Sequence, residues 1–198
     1  MTELVLLRHG ESLWNAEERY QGQQGTGLSA RGRQQAKAAA EYLRALEIDA
    51  VVASDLQRVT ETLQPYLDGR DHIDVRIDKR WREIDVGTWG GRLIADVYAE
   101  EPDVVEAFAR GADIARGGGE TFRQLRARVW EAVQELSTSG ARRVLVGTHG
   151  GPIRVAAAAV LNLPAGTEML LDPPVNCSLT TLRVDGLTSY NVPTGTDR

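Results

Sequence analysis

Short apolar runs alternate along the chain with longer stretches whose apolar residues recur every three or four positions. Leu4–Leu7 is a continuous apolar run, the pattern of a strand buried on both faces. The polar, glycine-bearing stretch Gly10–Gly27 reads mostly as loop. Ser29 is placed to cap a helix over Ala30–Leu46, in which Ala36, Ala39, Ala40 and Leu43 share one face. Ala50–Ala53 reads as a second strand, Ser54-Asp55 as the cap of a helix reaching Leu67, and Val75–Ile77 as a third strand. Residues 81–92 are dense in Trp, Gly and charge and fit neither period. Helices are expected over Leu93–Glu100 and Asp103–Arg110, broken by Pro102. Gly117-Gly118-Gly119 marks a loop, and Thr121 begins an amphipathic helix to Leu136. Val144–Gly147 is another buried strand, feeding a helix over Pro152–Leu161, and Cys177–Arg183 and Ser189–Val192 are late strands. Such alternation predicts an α/β fold, a three-layer α/β/α sandwich. No linker, repeat or low-complexity tract divides residues 1–198, so one domain is expected.

Charge and composition narrow the classes of partner. The 23 Lys+Arg against 28 Asp+Glu leave a formal net charge of −5, which argues against nucleic acid, against a membrane surface and, at first sight, against any anionic ligand. A content of 42% hydrophobic and 26% charged residues is globular. The single cysteine excludes an internal disulfide, and the three histidines, at positions 9, 72 and 149, are too scattered for a histidine-rich metal cluster. The apolar stretch Val155–Leu161 is far below the roughly 18 residues of a membrane helix, and Arg8 follows Leu4–Leu7 too soon for a signal-peptide core. The expectation is a soluble cytoplasmic protein with no metal, cofactor, nucleic-acid or membrane partner. Met169–Val175 is a late apolar segment that could serve a homodimer interface.

The chemistry gathers at strand ends. One buried strand ends in Leu7-Arg8-His9-Gly10 and another in Val146-Gly147-Thr148-His149-Gly150. Open α/β sheets bind ligands beyond the carboxyl ends of their strands. The glycines after each histidine, Gly10 and Gly150, let backbone approach a bound group closely. Arg58, in Ser54-Asp55-Leu56-Gln57-Arg58, falls in the first turn of a helix after another strand end, where free N–H groups already attract anions. Arg8 directly follows a buried strand, so its charge needs a partner. Together Arg8, Arg58, His9 and His149 form a cationic pocket suited to a phosphate, which the arginine fork pairs through two oxygens at once. Glu11, Glu83 and Asp85 are rival carboxylates for acid–base work, and the residues alone do not choose among them.

Five segments in order resemble the histidine phosphatase superfamily, also called the phosphoglycerate mutase-like family. They are Leu7-Arg8-His9-Gly10-Glu11-Ser12-Leu13-Trp14-Asn15; Ser54-Asp55-Leu56-Gln57-Arg58 with Thr62; Trp81 to Gly91; Gly118-Gly119-Glu120; and Thr148-His149-Gly150-Gly151-Pro152-Ile153-Arg154. The resemblance implies a doubly wound, mostly parallel sheet and a phosphomonoester hydrolase that needs no metal. It implies that His9 is the nucleophile that forms a phosphohistidine, and that Arg8, Arg58 and His149 hold the phosphoryl oxygens. Asn15 would donate a further hydrogen bond, and Glu83 would protonate the leaving oxygen and then deprotonate the attacking water. Gln21, Gly22 and Gly150 would border the substrate, a small phosphorylated metabolite. Residues 92–120 would be an insertion that covers it and sets specificity. A cofactor-dependent phosphoglycerate mutase is the alternative, and a non-catalytic phosphate-binding relative a third, although the Trp81–Gly91 block looks more like the phosphatase branch. Trp14, Trp81 and Trp89 are candidates for the pocket wall or for core packing. Arg110 and Arg116 flank the segment that covers the site in similar proteins and could read the substrate, but read mainly as solvated; Arg154 matches a family position but reads as structural, His72 as a turn residue and Cys177 as a packed small side chain.

Overall fold

In the computed structural model, which describes residues 1–195, six strands form one sheet in the order β3-β2-β4-β1-β5-β6. The strands are β1 (Glu3–Arg8), β2 (Ala50–Ala53), β3 (Val75–Ile77), β4 (Arg143–Thr148), β5 (Ser178–Arg183) and β6 (Gly186–Pro193). The first four in that order run parallel, and β5 and β6 complete one edge antiparallel. The helices are α1 (Leu13–Ala16), α2 (Ala30–Arg44), α3 (Gln57–Leu67), α4 (Ile94–Glu100), α5 (Pro102–Ala109), α6 (Phe122–Ser137) and α7 (Gly150–Val160). The fold is the expected α/β sandwich.

Strand β1 shows why the sheet is covered on both faces. Leu4 and Leu6 point into one cluster with Val144, Val146 and the α6 residues Leu125, Val129 and Val133. Val5 and Leu7 point the other way, onto Ala39, Ala40 and Leu43 of α2 and Val59 and Leu63 of α3. A strand alternates faces at every residue, so a continuous apolar run serves two layers of helix at once. Trp81 and Trp89 are buried in the first cluster.

Among the element starts that differ from expectation, those of α3, α5 and α7 have a local reason. Ser54-Asp55 does not cap α3, whose N-cap is Leu56 with no side-chain bond. The Ser54 hydroxyl lies 2.9 Å from His149 Nε2, and the Asp55 carboxylate accepts from Arg82 Nε at 2.6 Å. Pro102 opens α5 rather than merely separating two helices, because the first helical position has no hydrogen bond for its missing N–H to lose. Helix α7 starts at Gly150, two residues before Pro152. The stretch Gly10–Gly27 also holds the single turn α1, closed by a capping box between Ser12 and Asn15. Among the described residues, no helix is long and apolar enough to cross a membrane.

Candidate active site

The register of β1 on β4 pairs Arg8 with Thr148. This carries both histidines past the ends of adjacent parallel strands, and the His9 N–H donates to the Thr148 carbonyl at 3.1 Å. Their rings meet edge to face with centroids 5.1 Å apart. Strand β2 flanks β4 on its other side, so α3, which follows it, brings Arg58 to the same place. The segments thus converge because three neighbouring parallel strands end together.

His9 is held as one tautomer. Its Nδ1 lies 2.7 Å from the Gly10 carbonyl, which can only accept, and Arg58 Nε donates to its Nε2 at 3.3 Å. The proton therefore sits on Nδ1 and the lone pair on Nε2. Burial, then the charges of Arg58 and Arg8, push the His9 pKa well below its ordinary value, so the ring stays neutral. His149 is fully buried and driven the same way by burial, Arg58, His9 and Arg8. Its Nε2 meets Ser54, while its Nδ1 has no partner among the described residues. Arg8 Nε is a second buried polar atom without one. Arg8 lines the cavity described below, where a ligand would satisfy its Nε, whereas His149 is not among the residues lining that cavity.

Arg58 is only 2% exposed. Its Nη1 donates to the Gln24 carbonyl at 2.8 Å and its Nη2 to the Gly22 carbonyl at 2.7 Å. It therefore clamps the loop that carries Gln21 while its Nε faces His9. Burial lowers its pKa to about 10, still far above neutrality. Arg8 donates through Nη1 to the Pro174 carbonyl.

A cavity of about 210 Å³ opens on this cluster, lined by Arg8, His9, Asn15, Gln21, Gly22, Arg58, Glu83 and Gly150 among others. The Asn15 Oδ1 is used by the Ser12 N–H at 3.2 Å, leaving its amide nitrogen as the donor for a ligand. Among the described residues, Glu83 is the one carboxylate in the wall. It accepts from the Gly151 N–H at 3.1 and 3.2 Å and from the Ile84 N–H at 2.8 Å, sitting on the amino end of α7. Arg128 of α6 secures that backbone by donating to the carbonyls of Arg80, Arg82 and Glu83 at 2.6, 2.7 and 2.9 Å. The rival carboxylates are committed elsewhere: Glu11 accepts from the Ser29 hydroxyl at 2.6 Å, and Asp85 Oδ1 from the Gly87 N–H at 2.9 Å.

A broader groove of about 500 Å³ lies along the start of β1 and β4. Its arginines face carboxylates, with Arg143 2.6 Å from Glu3 and Arg142 3.4 Å from Glu47, and no histidine lines it.

A neutral imidazole with its lone pair toward a guanidinium cluster, beside one carboxylate, is the composition of a phosphoryl-transfer site. The family comparison agrees: the model of the histidine phosphatase superfamily (branch 1) matches residues 4–190. The chain belongs to that superfamily. Among histidine phosphatase relatives, a glucosyl-3-phosphoglycerate phosphatase of Mycobacterium tuberculosis is 39% identical over 188 residues, 90% of this chain and 84% of the relative. A probable phosphoglycerate mutase of Enterobacter sp. is 35% identical over 187 residues, 93% of this chain and 85% of the relative. The solved mycobacterial glucosyl-3-phosphoglycerate phosphatase in complex with VO3 superposes with a TM-score of 0.87 at 36% identity, covering 97% of this chain and 100% of that one.

The cavity also holds residues that sequence reasoning underrated. Arg116 lines it rather than standing in solvent, and so does Arg154, whereas Arg110 stays exposed and paired with Glu106. Arg19 and Tyr20 reach the wall unforeseen. Arg128 and Ser54 act behind it; an arginine among the apolar positions of α6 was the available signal for the first. His72 is exposed in a turn and Cys177 is buried, as expected.

Proposed function

We propose that this histidine phosphatase hydrolyses a small phosphomonoester through a phosphohistidine on His9. The supporting observation is the His9 ring itself, fixed by the Gly10 carbonyl with Nε2 toward Arg58. Nε2 attacks phosphorus, the bond to the alcohol oxygen breaks, and that oxygen takes a proton from Glu83. Water then attacks the phosphoryl group and gives a proton to the Glu83 carboxylate. The P–N electron pair returns to Nε2, and inorganic phosphate leaves. Arg8, Arg58, His149 and Asn15 meet the charge on the transferring oxygens, where losing one fixed donor typically costs about 10²–10³ in rate. These guanidinium groups supply the positive charge that a metal ion would otherwise provide. Gln21, Gly22 and Gly150 border the phosphoryl group, residues 92–120 cover the substrate, and the cytoplasm is the proposed compartment.

Hydrolysis of p-nitrophenyl phosphate in the presence of a chelator tests this. Activity should persist with chelator and vanish in His9→Ala; activity that survives the substitution, or is lost to the chelator, refutes it. A second reading, transfer to another hydroxyl of the substrate, rests on the relative named a probable phosphoglycerate mutase. Conversion of 3-phosphoglycerate that appears only with a bisphosphorylated primer would favour it.

A further inference from the structure

Ser54 follows the last residue of β2, and His149 follows the last residue of β4. Both are fully buried. The register pairs Ala53 with Gly147, and the Ser54 N–H donates to the Gly147 carbonyl at 3.0 Å. Beside His149, the Thr148 hydroxyl donates to the Trp81 carbonyl at 2.8 Å, and the Thr148 carbonyl accepts the His9 N–H at 3.1 Å. Backbone on both sides is therefore pinned where Ser54 Oγ meets His149 Nε2 at 2.9 Å.

A serine hydroxyl has one proton to give and two lone pairs to accept with. The Leu56 N–H already uses one lone pair of Ser54 Oγ, at 3.3 Å. Among the described residues, His149 Nε2 is the sole acceptor within reach of the Ser54 proton. Burial, then Arg58, His9 and Arg8, keeps the His149 ring neutral, so one of its nitrogens carries a proton and the other a lone pair.

Two arrangements compete. With the proton on Nε2, Ser54 accepts twice, its own proton has no acceptor, and the Nδ1 lone pair has no donor. With the proton on Nδ1, Ser54 donates to Nε2 and the Nδ1–H alone is unmet. Buried polar groups without partners are unfavourable, so one orphan wins over two. Both histidines then carry the proton on Nδ1: His9 because the Gly10 carbonyl accepts there, His149 because a hydroxyl donates to its other nitrogen.

We infer that Ser54 is a positioning residue that fixes His149 as the Nδ1–H tautomer, so that this ring meets the phosphoryl group on His9 with a donor. The claim rests on His9 being the residue that is phosphorylated. His149 stands behind the cavity wall, edge to face with His9 at 5.1 Å between centroids, within reach of a group bonded to that ring. An N–H there stabilises the anionic oxygens, whereas a lone pair repels them.

Long-range proton–nitrogen NMR of protein labelled with ¹⁵N-histidine reads the tautomer, the His149 signals being assigned by their loss from His149→Gln protein. The wild-type ring should show a protonated Nδ1 and a lone pair on Nε2. In Ser54→Ala protein it should average between the two tautomers. There kcat/KM should fall by about tenfold to a hundredfold, less than for a donor removed outright, because the ring keeps the useful tautomer part of the time. The fall should be alike for p-nitrophenyl phosphate and glycerol 3-phosphate, since the oxygens that His149 meets are the same in both.

A wild-type ring protonated on Nε2 overturns the assignment whatever the kinetics, so the test does not depend on the variant folding. A Ser54→Ala protein that keeps the tautomer, or that keeps the rate, overturns it also. So does a loss confined to glycerol 3-phosphate, which would place Ser54 behind Glu83. An Nδ1–H ring that Ser54→Ala abolishes, in a protein that hydrolyses neither ester, upholds the hold of Ser54 on the tautomer and refutes the phosphatase reading.

Discussion

Gly151→Ala should separate catalysis from stability. Gly151 is the second residue of α7, and its N–H holds both oxygens of Glu83. A Cβ at this position would stand 2.2 Å from Glu83 Oε1, so the oxygen must retreat by about 1.2 Å to reach the 3.4 Å of ordinary contact. The obstacle is the tip of a flexible side chain, and the nearest core atom, Leu125 Cδ2, is at 3.2 Å. Folding should therefore survive. Alanine in a helix gains about 0.5–1 kcal/mol over glycine, against roughly 1.5–3 kcal/mol for a weakened hydrogen bond to a charged group. Catalysis has no such compensation, since a misplacement near 1 Å costs on the order of 10²-fold. The loss should depend on the leaving group. A nitrophenolate leaves without a proton, whereas the alkoxide of glycerol 3-phosphate needs one from Glu83. In kcat/KM, which reports steps up to leaving-group departure, glycerol 3-phosphate should fall by about 10² and p-nitrophenyl phosphate by distinctly less. Equal losses for the two esters, or no loss for either, would refute the placement of Glu83 as the acid.

Other expectations follow from the same geometry. The His9 and His149 rings should remain neutral through pH 6 in ¹⁵N NMR, because burial and then the neighbouring arginines depress both pKa values; a midpoint near 6.5 for either contradicts this. The unfolded chain takes up protons on these imidazoles below about pH 6.5 that the folded chain refuses, so their effect is to lower stability as pH falls, by up to about 1.4 kcal/mol per pH unit for each. Gly117→Ala sets a Cβ against the Val86 carbonyl oxygen at positive φ and should cost about 1–3 kcal/mol in urea unfolding; an unchanged midpoint refutes the locked turn. Arg128→Met strips a donor from three carbonyls and the partner from Glu120. It should destabilise by about 1–3 kcal/mol and lower kcat. Full kcat at reduced stability would show that Arg128 holds the fold but does not position Glu83.

What the chain discloses before folding is whatever a local pattern carries. The apolar runs Leu4–Leu7 and Val144–Gly147 foretell buried strands, so His9 and His149 could be placed at their ends, and Arg58 one turn into the next helix. Glu83 could not be chosen over Glu11 and Asp85 without the family resemblance, since the choice depends on which carboxylate lies beside α7. Ser54 looked like a cap because its spacing fits one; only the packing of β2 beside β4 reveals that His149 takes its hydroxyl. Arg116 and Arg154 were underrated for a related reason. Arg116 stands in a glycine-rich, polar stretch that resembles solvated loop, and its inward turn depends on close backbone contact between residues 85–87 and 117–119. The net charge of −5 likewise gave no warning of a cationic cavity, because affinity is local while net charge is a sum.

Trapping the covalent intermediate tests the central claim most directly. In Glu83→Gln protein, p-nitrophenyl phosphate can still phosphorylate the enzyme without an acid, while hydrolysis of the intermediate loses its base and the intermediate accumulates. After an alkaline quench, which preserves phosphohistidine, mass spectrometry should find one phosphoryl group on the peptide containing His9, and none when His9→Ala is added. Nitrophenol release by Glu83→Gln protein with the phosphoryl group on another residue, or with none on His9, would contradict the mechanism.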